Sequence, residues 1–171
     1  GERGMDSEGF SGRDGRTTIF DYWSVDSIRR WRNGGTFDGS LLNSDEIKLQ
    51  QFYIRLLHLC KEEKAITEGE FFDLMYVNKG SWSINEHKQY AFLRKHEKEV
   101  LLIVVNFDDI QVRVGINIPL HAFEYLKIPI GQEYEATDLL TGKKEKISLS
   151  ASRATNIEIG ALNGKILKIV I

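Results

Sequence analysis

The chain has 171 residues, 42% of them hydrophobic and 28% charged, which excludes a disordered or fibrous polypeptide and allows one ordinary core or two small ones. Its formal net charge of -2 offers phosphate backbones no broad attraction, so nucleic acid is not an expected partner. A single cysteine excludes an internal disulfide, and no apolar run reaches the roughly 18–20 residues that cross a bilayer.

Residues 1–43 are glycine-rich and show no sustained period. The stretch from Gly9 to Trp23 sets the aromatics Phe10, Phe20, Tyr22 and Trp23, and the charges Arg13, Asp14, Arg16 and Asp21, among glycines. Such a composition suits stacking on, and hydrogen bonding to, a polar ring such as a sugar; an ordinary surface loop with anchoring aromatics has the same make-up. Ser24 is placed to cap a short helix that carries Val25, Ile28 and Trp31 inward and stops at Asn33-Gly34-Gly35. Arg29-Arg30-Trp31-Arg32 then reads as a solvated basic helix end.

The clearest helix is predicted over 44–64. Asn43 with Glu46 three residues on forms a capping-box pattern, and Leu49, Phe52, Tyr53, Leu56, Leu57 and Cys60 follow at helical spacing. That stripe calls for an apolar partner, with Lys48, Gln51 and Arg55 in water, and it predicts a buried, inert Cys60 thiol.

From Glu70 onward the period changes to two or to short apolar runs. Strands are predicted at 71–77, 90–95, 100–107, 112–118, 134–138, 145–149, 155–159 and 165–171, with a helical turn at 121–126 between Pro119 and Pro129. Leu101–Val105 is almost wholly apolar, as a strand covered on both faces would be. Leu162-Asn163-Gly164 carries an Asn-Gly hairpin signal. The fold class expected is mainly β: an antiparallel sandwich of Greek-key type with seven to eight strands, after a loop segment and one long amphipathic helix. Trp82 and Tyr90 are expected to cover the end of the core, with stacking on a glucan as the alternative. His58, His87, His96 and His121 are too scattered for metal-ligand spacing, and Asp108-Asp109 reads as a solvated turn.

Gly12-Arg-Asp-Gly-Arg-Thr-Thr-Ile-Phe-Asp-Tyr-Trp23, then an amphipathic helix, then strands containing Tyr90-Ala-Phe-Leu-Arg94, Val100–Phe107 and the Asp138-Leu-Leu-Thr-Gly142 hairpin, resembles the C-terminal end of an alpha-amylase of glycoside hydrolase family 13. Arg16, Thr17 and Trp23 match the ends of the family's loop after the last barrel strand, while Thr18–Tyr22 departs from its Pro-Met-Gln middle. The resemblance implies that residues 1–66 are the end of a (β/α)8 barrel and that 67–171 are an all-β sandwich. It further implies that Arg16, Tyr22 and Trp23 border the substrate cleft of the intact enzyme. The catalytic carboxylates would come from earlier barrel strands, so this chain alone is expected to be inactive and to hold no metal. Calcium, which the family often carries, would lie in other parts, and any targeting segment would lie upstream. The expected partner of the parent is an alpha-glucan, starch or maltooligosaccharides. A starch-binding module, or a protein-interaction module that forms homo-oligomers, are the alternatives.

Overall fold

The computed structural model describes residues 25–171, and the chain divides into two units, Gly1–Leu57 and His58–Ile171. In the first, helix α1 (Asp26–Arg32) ends where Asn33 turns left-handed at φ 41° and its amide bonds back to the Arg29 carbonyl. The residue at its N-cap position is Val25, with no side-chain cap, and Ser24 lies outside the described residues. Trp31 is not turned inward: it is 47% exposed and meets the edge of Phe37 at 4.9 Å. Arg30 ties α1 to Glu46 through its Nε and Nη2.

Helix α2 (Ser44–Glu62) begins as its capping box requires: the Asn43 side chain accepts from the Glu46 amide, and Glu46 accepts from the Asn43 amide, both at 3.0 Å. The division between the units falls inside this helix. No α2 residue is buried, and Phe52, Tyr53 and Leu57 are exposed. The Cys60 thiol is exposed as well, contrary to the buried site its stripe predicts, because no apolar surface among the described residues covers that side of α2.

The second unit continues with α3 (Lys64–Thr67) and eight strands: β1 (Glu70–Asp73), β2 (Gln89–His96), β3 (Glu99–Asn106), β4 (Val112–Ile116), β5 (Gln132–Asp138), β6 (Lys144–Leu149), β7 (Thr155–Ile159) and β8 (Asn163–Val170). Helices α4 (Met75–Asn78) and α5 (Leu120–Leu126) join them. All pairings are antiparallel, in a six-stranded sheet ordered β1-β2-β3-β8-β5-β6 and a two-stranded sheet β4-β7. The chain therefore runs as a meander to β3, crosses to the small sheet as β4 and returns as β5 and β6. It crosses again as β7 and comes back as β8 between β3 and β5.

The core lies between the sheets. Ala91, Leu93, Leu102, Val104, Leu167 and Ile169 of the large sheet meet Val114, Ile116, Ile157 and Ile159 of the small one, and Phe123 of α5 closes one end. Central strand β3 is buried on both faces from Val100 to Val104, as its unbroken apolar run implies.

Two local expectations fail for identifiable reasons. The strand expected over 71–77 stops at Asp73, whose side chain accepts from the Met75 amide at 2.9 Å and turns the chain into α4. Asn163-Gly164 is not a hairpin turn: the turn is Ala161-Leu162, and the strands it joins, β7 and β8, lie in different sheets. Asn163 and Gly164 already pair with Asn106 and Val105 in the β8 ladder.

Candidate functional site

Three candidate positions from the sequence, Arg16, Tyr22 and Trp23, lie outside the described residues. The site that can be built from structure is on the sandwich, and it begins with the outer face of the large sheet. Strand alternation sends Tyr90, Phe92, Arg94 and His96 of β2 to the side opposite the core, with Phe71 on β1 and Leu101, Ile103 and Val105 on β3. Phe92 stands at 5.5 Å from Phe71 and 5.8 Å from Tyr90, ring centre to ring centre, so the three form one aromatic row. Phe71 is 47% and Tyr90 38% exposed, so Tyr90 lies on this outer face and does not cover the end of the core.

The other end of that face is covered. Helix α3 lies over it with Ala65 buried, and Arg94 reaches up to donate to the carbonyls of Ala65 at 2.7 Å and Gly69 at 2.8 Å. Lys168 of β8, on the same face, pairs with Glu63 and Glu99 at 2.7 Å each. Burial of Lys168 works against its charge, yet the two carboxylates outweigh it and raise the ammonium's pKa above the ordinary lysine value.

Four carboxylates are held in place by hydrogen bonds. Asp38, Glu46, Asp108 and Glu135 all have pKa values below the usual carboxylate range, held there chiefly by donors from Ser40, Arg30, Lys88 and Lys144 respectively. Asp138 is buried in the β5-β6 hairpin, where it accepts from the Thr141 hydroxyl at 2.6 Å and from the amides of Leu140 and Ile166. It fixes the Asp138-Leu-Leu-Thr-Gly142 turn, with Gly142 left-handed at φ 75°.

Histidines are dispersed: His58 lies beside Glu62, His96 beside Glu68, and His121 meets the Tyr76 hydroxyl at 3.1 Å. Among the described residues no three His, Cys, Asp or Glu side chains converge as metal ligands. No described helix is long and apolar enough to cross a membrane.

Trp82 also departs from its expected place. Expected to cover the core end, it is 99% exposed, carried outward on the loop between α4 and β2.

Residues 82–168, which take in every sandwich strand but β1, match the family model described as alpha amylase, C-terminal all-beta domain. The chain belongs to this family. Solved structures share the fold of this all-beta domain at low identity. The maltogenic alpha-amylase AmyB of Thermotoga neapolitana is 18% identical over 75% of this chain and 26% of its own, with a TM-score of 0.52. AmyP in complex with maltose is 21% identical over 78% of this chain and 23% of its own, at 0.54. The acarbose-complexed alpha-amylase of Geobacillus thermoleovorans is 12% identical over 75% and 24%, at 0.51. This all-beta domain chain thus spans about a quarter of the length of the alpha-amylases it matches. No curated protein matches the sequence.

Proposed function

We propose that this chain serves as the C-terminal part of an alpha-glucan-active glycoside hydrolase of the alpha-amylase type, in which the sandwich steadies a catalytic barrel. The match to the alpha-amylase C-terminal domain over 82–168 carries the reading. In such an enzyme the retaining mechanism needs a nucleophilic carboxylate and an acid/base carboxylate about 5–5.5 Å apart across the scissile bond. The barrel supplies both, ahead of this chain. The carboxyls of Asp38, Glu46, Asp108 and Glu135 are held below the ordinary range, the reverse of what a proton-donating acid needs. Their donors make them structural anchors.

The surface that meets the barrel is the outer face of the large sheet. Phe71, Tyr90 and Phe92 leave apolar area on it beside the part that α3 already covers. The exposed stripe of α2, with Phe52, Tyr53 and Leu57, offers a second such surface. In the intact enzyme Arg16, Tyr22 and Trp23 line the glucan cleft, and any calcium belongs to the barrel.

The test compares starch hydrolysis by the 171-residue chain and by the protein extended through its upstream coding region. Activity in the longer protein alone, reduced by Trp23→Ala, is the expected result. Cleavage of maltotriose or starch by the 171-residue chain overturns it.

A further inference from the structure

We propose that Trp82 and the outer face of the small sheet form a binding site for the pyranose chain of a neutral alpha-glucan, separate from any catalytic cleft. This rests on the alpha-glucan reading above and adds to it a place on the sandwich where the polymer is held.

The loop that carries Trp82 is pinned while the indole itself touches almost nothing. Asn78, fully buried, bridges the Leu74 and Asn117 carbonyls at 2.8 and 2.9 Å, and its own carbonyl oxygen accepts from the Ser81 amide. The Gly80 amide donates to Glu86 at 2.8 Å, and the Ser81 and Ser83 hydroxyls meet at 2.8 Å. Ser83 then bonds twice to Gly115 of β4, giving its hydroxyl proton to that carbonyl at 2.8 Å and accepting the Gly115 amide at 3.0 Å. Ser83 is therefore fastened to β4 at Gly115. A backbone this constrained, ending in a large apolar ring with 99% of its surface in water, is pre-organised to present that ring.

A polar groove lies near Ser83, the residue that follows Trp82. Across the small sheet Ser83, Gly115 and Asn156 fall in one row, since Gly115 and Asn156 are register partners and Ser83 bonds to Gly115. A Cβ on Gly115 would meet the Ser83 side chain at 3.2 Å and that of Ala154 at 3.3 Å, so glycine keeps the row low. Ala154 is also a wall of an open groove of about 530 Å³ that runs along the β6–β7 seam, lined by Arg113, Ser148, Arg153 and Asn156 among others. Arg113, Arg153 and Asn156 are exposed, and neither guanidinium has an ion-pair or hydrogen-bond partner among the described residues.

A pyranose ring has an apolar C–H face and a girdle of hydroxyls. The indole suits the first, and forked guanidinium and amide donors suit the second. Carboxylates temper the positive charge of the groove, since Lys146 is paired with Glu133 at 3.0 Å and Glu158 stands opposite Arg113 in register, and the indole offers a sugar ring an apolar contact that a small anion cannot use. The groove borders β6, the opposite edge of the large sheet from Phe71 on β1, so a barrel seated on the aromatic row leaves it in water.

The test titrates maltoheptaose into the 171-residue chain and its Trp82→Ala and Arg153→Ala variants by tryptophan fluorescence and calorimetry, with granular starch co-sedimentation alongside. The wild type is expected to bind, Trp82→Ala to lose about tenfold or more in affinity and Arg153→Ala several-fold, with thermal unfolding unchanged because neither side chain is buried. Binding should be nearly the same in about 50 and 500 mM salt, as a neutral ligand requires. Equal binding by wild type and Trp82→Ala overturns the site while leaving the alpha-glucan reading intact. Capture of dextran sulfate but not maltoheptaose, or a dimer that Trp82→Ala dissolves, also overturns it. Hydrolysis by the longer protein decides the alpha-glucan reading separately.

Discussion

The side-chain amide of Gln89 donates to the carbonyl oxygen of the Asn106 side chain at 3.0 Å, and both residues are buried. Asn106 also accepts from the Asp108 amide and donates to the carbonyls of Ile110 and Gly160 at 2.9 Å each. One side chain therefore joins β2, β3, the β3–β4 turn and the end of β7. Replacing it with alanine leaves several groups without partners in the interior, each costing about 1–3 kcal/mol. Asn106→Ala is expected to lower unfolding free energy by roughly 2–4 kcal/mol, with an unchanged denaturant slope in urea melts of the chain.

Gly69 sits where no side chain fits. A Cβ there would lie 2.3 Å from the Ala65 carbonyl oxygen and 2.7 Å from that of Lys95, backbone atoms that Arg94 and the β1–β2 edge hold in place. Gly69→Ala must push α3 off the sheet, and a loss of at least about 2 kcal/mol is expected. Gly142 gives the contrast: its φ is 75° but the space around it is open, so Gly142→Ala costs only the left-handed strain of about 1–2 kcal/mol. Thermal melts of the two variants should rank in that order.

How much of this was legible beforehand follows from range. The Asn43/Glu46 box, the helical turn after Pro119 and all eight strands could be read because cap chemistry and alternation act over a few residues. Thr155–Ile159 has the expected bounds, and the other strands differ by a few residues at their ends. The partner of β8 could not be read, since Asn163-Gly164 has the same local signal whether the next strand pairs within one sheet or crosses to the other. The same limit applies to the candidate site. Trp82 carries no period that says whether it covers a core, and the row Ser83–Gly115–Asn156 exists only through register between distant segments. Phe71, Tyr90 and Phe92 were read as strand residues, but their joint exposure depends on what covers the outer face. Arg16, Tyr22 and Trp23 lie outside the described residues.

Cys60 provides a direct check on the α2 surface. Its thiol is exposed and belongs to no disulfide, and no described α2 residue is buried. In the native 171-residue chain one thiol should react with Ellman's reagent without denaturant, at a rate close to that of a small free thiol. Protection of Cys60 in the native chain, lifted only by urea, would mean that another surface covers the stripe of Phe52, Tyr53 and Leu57.

Asp108 and Lys168 set opposite limits on pH. The hydrogen bond from Lys88, at 2.8 Å, holds the Asp108 carboxyl below the usual aspartate range, against the effect of burial. A carboxyl lowered in the folded state contributes stability above its unfolded pKa of about 4, and that contribution fades as pH falls through the lower folded value. Asp108→Asn should therefore weaken the chain at neutral pH and flatten the acid limb of its melting temperature. Lys168 behaves in reverse. Burial opposes its charge but Glu63 and Glu99 raise its pKa, so its contribution is complete below the ordinary lysine value of 10.5 and is lost as pH rises through the raised one. Lys168→Met removes that alkaline loss and also leaves Glu63 and Glu99 facing each other without their shared cation. The variant should melt lower than wild type near pH 7 yet converge with it towards pH 12, measured by scanning calorimetry across both limbs. A constant gap between the two across the alkaline range would show that the Lys168 pairs carry no pH-linked stability.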